Sequence, residues 1–228
     1  MLRLATWNCA RGPLQRKLDA LAAIAPHVAV ITEAPRPASE SKSLRWFGDG
    51  RYGILVNTVS PYSFEPLPQA DLPPCVVPIA IRGPRSFTLL AVWTWGAPSY
   101  KHALLNGVAA YRHLQGPFVV AGDFNGNPGF DRPLTRFKWA RCFDAVERLG
   151  VVSAYHRHFS EPFGRESRHT HFHHGYPTSP FHIDFCFVPT AWTGSMKNVH
   201  VGTYDDWRGV SDHRPVIVEI ADEACDAV

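Results

Sequence analysis

"VVAGDFNGNP", residues 119–128, carries the clearest local signal in the chain. Val119 and Val120 are apolar and β-branched, as a buried strand prefers. Gly122 reads as the opening of a tight turn, continued by Asp123 and Asn125 and closed by Pro128. Turn chemistry alone explains Asp, Asn and Gly in a loop. Yet a carboxylate and an amide two residues apart, where a buried strand emerges, also raise a chemical question. The rest of the chain bears on it.

Outward from that strand, the same reading gives a strand-rich chain. "LRLATWN", "HVAVITE", "YGILVN", "CVVPIAI", "SFTLLAVWTW", "HIDFCFVP", "VHVGTY" and "PVIVEI" read as strands. "LQRKLDALAAIA" puts Leu14, Leu18, Leu21 and Ile24 on one helical face, and Pro26 stops it. "YKHALLNGVAAYRHL" and "WARCFDAVERLG" read as two more helices, the second with Gly150 as its C-cap. Residues 35–50 read as a polar loop, and residues 156–182 as the longest stretch without clear periodicity. Strands coming in runs, with few helices, suit an α+β or α/β sandwich built as one domain over residues 1–228.

The bulk numbers exclude some classes. With 228 residues, 45% hydrophobic, the chain can bury a sizeable core. No apolar run has the length of a membrane span, and "MLRLATWNCARG" does not read as a signal peptide. The expectation is a soluble cytoplasmic protein with no membrane partner. The five cysteines are odd in number and form no CxxC pair, so neither a disulfide framework nor a zinc ribbon is expected. They read as small buried hydrophobes. A net charge of +3 suits a phosphate-bearing partner without demanding one.

Polar residues able to bind a cation gather at strand ends. They are Asn8 in "TWN", Glu33 in "ITE", Asp123 and Asn125 in "GDFN", and Asp212 with His213 just ahead of the last strand. Asp184 stands in the apolar run "FHIDFCF", where an acid without a partner is costly. Each has an ordinary explanation alone: a cap for Asn8, turn chemistry for Asn125, a surface acid for Glu33. Converging at one sheet edge, Glu33, Asp123, Asn125 and Asp212 would make an oxygen-rich site for a hard cation such as Mg²⁺. His213 would add an imidazole, and Asp184 could hold it in one tautomer.

The motifs "TWN", "ITEAP", "GDFN", "HIDF" and "SDHRPV", in that order from Thr6 to Val216, resemble those of the endonuclease/exonuclease/phosphatase family. The resemblance implies a four-layer α/β/β/α sandwich, two mixed β-sheets flanked by helices. It also implies hydrolysis of phosphoester bonds with Mg²⁺ or Mn²⁺. Carried over residue by residue, it makes Glu33 the direct metal ligand, supported by Asn8, with Asp212 a further metal-side acid. Asp123 would orient or deprotonate the attacking water, and Asn125 would help hold water and phosphate. His213 would contact a phosphate oxygen, with Asp184 as its hydrogen-bond partner. The chemistry suits the residue types. A cation neutralises an anionic diester and stabilises the leaving oxygen, and aligned donors bind the oxygens as charge builds.

The sequence departs from that family in three places. Where many members carry His or Tyr at a strand end, this chain has Trp95 beside Thr94. The role is then absent or taken by Tyr100 or His102. Two residues after the "WN" asparagine stands Ala10 where abasic-site nucleases often have an acid. "RHTHFHHGYPTSPFHID" holds His169, His171, His173, His174 and His182, while Thr170 and Phe172 resemble a family element upstream of the "ID" strand. These histidines could bind metal, contact substrate or be solvated loop residues. Arg165 and Arg168, in the same stretch, are candidate substrate contacts with Trp95 and Tyr100. Trp46, Phe47, Trp93, Trp139 and Trp207 could stack on bases or belong to the core.

The leading expectation is a Mg²⁺-dependent phosphodiester hydrolase acting on a nucleic acid, DNA or RNA. A phosphatase or phosphodiesterase for a small-molecule or lipid phosphoester is the alternative within enzymes. A binding protein that keeps the fold without activity is the alternative outside them.

Overall fold

The computed structural model describes residues 1–95 and 99–222. Its strands are β1 (Leu2–Asn8), β2 (Val28–Pro35), β3 (Leu44–Phe47), β4 (Tyr52–Thr58), β5 (Ser63–Pro66), β6 (Val76–Arg82) and β7 (Phe87–Trp93). They continue with β8 (Phe118–Asp123), β9 (Val151–Ser153), β10 (His171–Phe172), β11 (Pro180–Phe181), β12 (Asp184–Pro189), β13 (Met196–Val201) and β14 (Val216–Ile220). The α-helices are α1 (Leu14–Ala22), α2 (Tyr100–Tyr111), α3 (Trp139–Glu147), α4 (Ala154–Phe159) and α5 (Tyr204–Trp207).

Two six-stranded sheets form, in the orders β13-β14-β1-β2-β4-β3 and β5-β6-β7-β8-β12-β9. Each holds one parallel pair, β1 with β2 and β7 with β8, among antiparallel ones, so both are mixed. Side chains alternate across a strand, and the alternation here fills three layers of core. Leu2 and Leu4 of β1, Val119 and Ala121 of β8, and Cys186 and Val188 of β12 fill the space between the sheets. Val120, Phe185 and Phe187 point the other way, onto Leu104 and Val108 of α2 and Phe143 of α3. Ala5, Trp7 and Ile31 cover the outer face of the first sheet, with Leu21, Leu18 and Leu14 of α1. The result is the helix–sheet–sheet–helix sandwich expected from the resemblance.

That alternation also aims the polar strand ends. Asp123 is in phase with Val119 and Ala121, Asp184 with Cys186 and Val188, and Asn8 with Leu2 and Leu4. All three therefore face the space between the sheets, at one end of it.

Several sequence expectations are corrected. Residues 35–50 are not all loop: "LRWF" forms β3, pairing with β4 and burying Trp46 and Phe47. The polar residues on either side hid so short a strand. Gly122 does not open a turn; it lies inside β8, opposite Phe185 of β12. A Cβ there would stand 1.8 Å from the Val92 carbonyl oxygen, and its φ of +149° favours glycine, so close strand approach explains it. The second strand does not stop at Glu33. It runs on to Pro35 through a register shift between Ile31 and Ala34. Residues 156–182 carry the end of α4 and a small β10–β11 hairpin.

Trp46, Phe47, Trp93 and Trp139 are buried, and Trp207 packs edge-on against Trp7 with ring centroids 5.0 Å apart, so these aromatics belong to the core. Cys9, Cys75, Cys142 and Cys186 are free and buried, as expected of small hydrophobes; Cys225 lies outside the described residues. Among the described residues no helix is long and apolar enough to cross a membrane.

Candidate active site

The site gathers residues from the ends of β1, β8 and β12, from the bulge in β2 and from the segment just before β14. Glu33 sits in the β2 bulge with φ +51°, and Asn125, two residues beyond β8, has φ +50°. Left-handed backbone at residues other than glycine costs energy and is kept where surrounding structure enforces it, often at functional sites. Here the bulge swings Glu33 out of the strand's alternation.

Asn8 joins two carboxylates. Its Nδ2 donates to Asp123 Oδ2 at 2.9 Å and to Glu33 Oε1 at 3.3 Å, while its Oδ1 accepts the Ala10 N–H at 2.9 Å. Its amide is thus engaged in orienting the acids. Asp123 accepts two further bonds from Asn125, from the backbone N–H at 2.8 Å and Nδ2 at 3.0 Å. Asn125 Nδ2 also donates to the Thr94 carbonyl at 2.9 Å. Asn125 therefore holds Asp123 in place, a contact the sequence reading did not foresee.

Asp123 and Asp184 are direct partners in the antiparallel β8–β12 pair, and both are fully buried. His213 Nδ1 lies 2.8 Å from Asp184 Oδ2. One ligand atom from each of Asp123, Asp184 and His213 falls within 4.8 Å of the others. Burial and the charge of Asp184 push Asp123 up to about 7, against the pull of His213 and its hydrogen bonds. Burial would lower the His213 imidazole, but the charge and hydrogen bond of Asp184, with Asp123 and Asp212 behind it, raise it to about 9.

The backbone behind His213 is tied down. Ser211 Oγ donates to the Asn8 carbonyl at 2.8 Å and accepts the His213 N–H at 2.9 Å. The His213 carbonyl accepts from Trp7 Nε1 at 3.2 Å and from Arg214 Nη1 at 3.1 Å. The Arg214 guanidinium packs against both Phe172 and Tyr204, its centre 4.7 and 4.9 Å from their rings, which themselves meet edge-on. Thr170 does the same for Asp184: its Oγ1 accepts the N–H of Ile183 and of Asp184, both at 3.0 Å.

Asp212 contacts the imidazoles. Its Oδ2 is 3.6 Å from His171 Nε2. Burial would raise its carboxyl, but His171 and His213 outweigh that and hold it below the usual range. The hairpin β10–β11 brings His171 here, its ring 4.3 Å from that of His213 and 6.0 Å from that of Phe181. Phe181 in turn meets Phe130 edge-on at 5.7 Å, and both are exposed.

The other candidates have other surroundings. Arg168 packs on Phe159 at 4.0 Å and pairs with Glu161 at 3.7 Å, and Arg165 is exposed in the turn after Pro162. Trp95 packs on Trp93 with centroids 5.4 Å apart, and Tyr100 is exposed as the first residue of α2. His182 is buried and burial lowers it to about 4; its Nδ1 lies 2.7 Å from the Arg168 carbonyl oxygen, so it is a structural neutral imidazole. His173 and His174 are exposed.

Sequence reasoning assigned no role to Arg11, Ser211 or Arg214 and left Thr170 and His171 undecided. Arg11 Nε donates to Glu33 Oε2 at 2.9 Å. Arg214 and Ser211 stand inside the "SDHRPV" stretch, which was the available signal. The partners of Arg11 and His171 are distant in sequence, and no local pattern reveals them.

The sandwich of two mixed sheets is a fold shared with solved structures of nucleases and a phosphatase. The endonuclease domain of TRAS1, a telomere-specific non-LTR retrotransposon, is 18% identical and superposes with a TM-score of 0.69, covering 97% of this chain and 99% of that one. The 3′ phosphatase NExo from Neisseria, bound to product DNA hairpin, is 19% identical with a TM-score of 0.67, covering 97% and 100%. An AP endonuclease from Archaeoglobus fulgidus is 14% identical with a TM-score of 0.69, covering 96% and 99%. Among curated proteins none matches the sequence. The family model of the Endonuclease/Exonuclease/phosphatase family matches residues 5–213, and the chain belongs to that family. It is an enzyme of the phosphoester hydrolase class.

Proposed function

We propose that the protein hydrolyses phosphodiester bonds in a nucleic acid, using a divalent cation and a water activated by Asp123. The observation that carries this reading is the pair of buried acids, Asp123 and Asp184, facing each other across β8 and β12 with only Asp184 bonded to His213. Two carboxylates in one buried site separate into different roles when their surroundings differ.

The donor set fits a hard cation. Glu33 offers a partly exposed carboxylate at the mouth, and Asp184 Oδ1 is buried with no hydrogen-bond partner. Glu33 is the direct ligand in this reading, Asn8 orients it, and Asp212 adds charge to the same cleft. When bound, Mg²⁺ or Mn²⁺ neutralises the phosphate and stabilises the leaving oxygen.

The chain's own residues supply the rest. Asp123, raised to about 7, is poised to accept a proton from water near neutral pH. Asn8 and Asn125 fix its orientation. His213, raised to about 9, is cationic at neutral pH and donates from its second ring nitrogen to a phosphate oxygen. Asp184 holds that imidazole in one orientation. Phe130 and Phe181 are exposed and meet edge-on, with Phe181 stacked on His171, which suits a base or sugar more than a bare phosphate.

The test is divalent-dependent hydrolysis across single-stranded, duplex and abasic DNA, RNA, and small phosphoesters. Nucleic-acid cleavage that EDTA abolishes is expected. Full activity after EDTA, or activity confined to small or lipid phosphoesters, defeats the corresponding half of the proposal.

A further inference from the structure

His171 is underbonded for a histidine in its position. Its side chain is only 14% exposed, its Nδ1 is buried with no hydrogen-bond partner, and its Nε2 stands 3.6 Å from Asp212 Oδ2, beyond hydrogen-bond reach. It is bridged to His213 through the backbone, and the two rings lie 4.3 Å apart. One ligand atom from each of His171, Asp212 and His213 lies within 4.8 Å of the others.

The chemistry of this cluster differs from that around Glu33. Two imidazoles with one carboxylate suit borderline transition ions, whereas Mg²⁺ selects oxygen. The Asp184 bond to His213 Nδ1 supplies the carboxylate that commonly stands behind a metal-binding imidazole and leaves the other ring nitrogen for the metal.

We propose that His171, Asp212 and His213 form a second cation site that takes a nitrogen-preferring transition ion of the Zn²⁺ type, and that filling it inhibits the enzyme. Coordination displaces the ring proton of His213 to water, leaving its lone pair on the metal. The histidine can then no longer donate to a phosphate oxygen. The binding half stands on the cluster's own geometry; the inhibition rests on the role proposed above for His213.

Co²⁺ is the probe, because its visible absorption reports imidazole coordination directly. The metal-free protein is titrated with Co²⁺, then with Zn²⁺ in competition and with excess Mg²⁺. Wild-type protein is expected to bind one Co²⁺ with a visible band that Zn²⁺ displaces and Mg²⁺ does not. His171→Phe keeps a ring against His213 and Phe181, and His171→Asn keeps a polar side chain; each should weaken Co²⁺ binding by about tenfold or more. Circular dichroism shows which variants are folded, and either one suffices. Glu33→Gln should leave the band unchanged. Wild-type Co²⁺ affinity in a folded His171 variant, or loss of the band in Glu33→Gln, overturns the site. In the Mg²⁺-supported reaction, micromolar Zn²⁺ should inhibit, and the His171 variants should need about tenfold more. Absence of any Mg²⁺-supported hydrolysis would defeat the proposed function while the Co²⁺ titration still decides the site. Hydrolysis that Zn²⁺ leaves untouched, with Co²⁺ bound as expected, overturns the inhibition.

Discussion

Asp123 and Asp184 are cross-strand partners, yet of the two acids it is Asp184 that hydrogen-bonds the His213 imidazole. One acid is thereby matched to a cation and the other is held by amides alone. The difference makes Asp123 the group that resists ionisation, and it sets the pH behaviour of the protein.

Asp123→Asn should abolish most activity and flatten the fall in stability that the buried acid imposes on the metal-free protein as pH rises. The Asp123 carboxyl rises from 3.8 to about 7 on folding. The folded state then binds the extra proton across that window, so stability falls as pH rises from about 4 to about 7. The amide removes that titration, but it leaves one acceptor oxygen where the carboxylate has two and turns an NH₂ toward a donor of Asn8 or Asn125. Rates should drop roughly 10²–10⁴-fold, the usual loss for a general base. Thermal melts at pH 5 and pH 7.5 check the second half: wild type should lose stability between them and the variant should lose less. An equal change in both proteins would show that the acid's ionisation carries no such penalty.

His213 has the same sign by another route. Its folded value, about 9, lies above the ordinary imidazole value of 6.5. The stabilisation from its bond to Asp184 is complete below about pH 6.5 and is lost as pH rises through about 9. Asp184→Asn should lower the His213 value and cut the rate. His213→Ala should cost at least as much, and the double variant should cost no more than the larger single loss, because the pair acts as a unit. An NMR titration of His213 in both backgrounds, with rates for all three variants, decides it. Additive losses would dissolve the pair.

How much of this was legible beforehand follows from where each signal lives. The polar ends of β1, β8 and β12 stand out against apolar runs, so Asn8, Asp123 and Asp184 were visible from alternation. Their partnership was not: the Asp123–Asp184 register depends on pairing residues distant in sequence. Glu33 was visible as an acid after an apolar run, but the bulge that turns it was not, because a bulge is a property of two strands. The strand β3 was hidden by polar neighbours. Thr170 and Arg214 lie in stretches that resemble the family, but what each braces emerges only once the strands are in place.

Thr170→Val should destabilise the protein by about 2–6 kcal/mol, since two buried N–H groups, of Ile183 and Asp184, lose their acceptor at about 1–3 kcal/mol each. Valine matches threonine in shape, so packing is not at issue. Denaturant melts give the loss. Thr170→Ser, which keeps the acceptor, should recover most of it. If serine is no better than valine, the hydroxyl is not what holds the first residue of β12.

Arg11 and a divalent cation contest the same carboxylate. Arg11 Nε donates to Glu33 Oε2, and its guanidinium centre lies 5.1 Å from the ring of Tyr52. A cation bound at Glu33 must displace that ion pair or share the acid with it. The pair is half exposed, so its own worth is small, about 0–1 kcal/mol. Removing it should therefore tighten the ion by a few-fold at most. Arg11→Gln is expected to lower the Mg²⁺ concentration for half-maximal rate by about 2–5-fold, the factor that a fraction of a kcal/mol to ~1 kcal/mol supplies. Glu33→Gln should move it the other way, because a neutral amide attracts the ion less. In the Glu33→Gln background the Arg11 substitution should have no further effect on the Mg²⁺ requirement. Direct Mn²⁺ binding, followed by its paramagnetic resonance signal, separates affinity from turnover. An Arg11→Gln protein with weaker Mn²⁺ binding would place the guanidinium on the side of the metal's support, not its competitor.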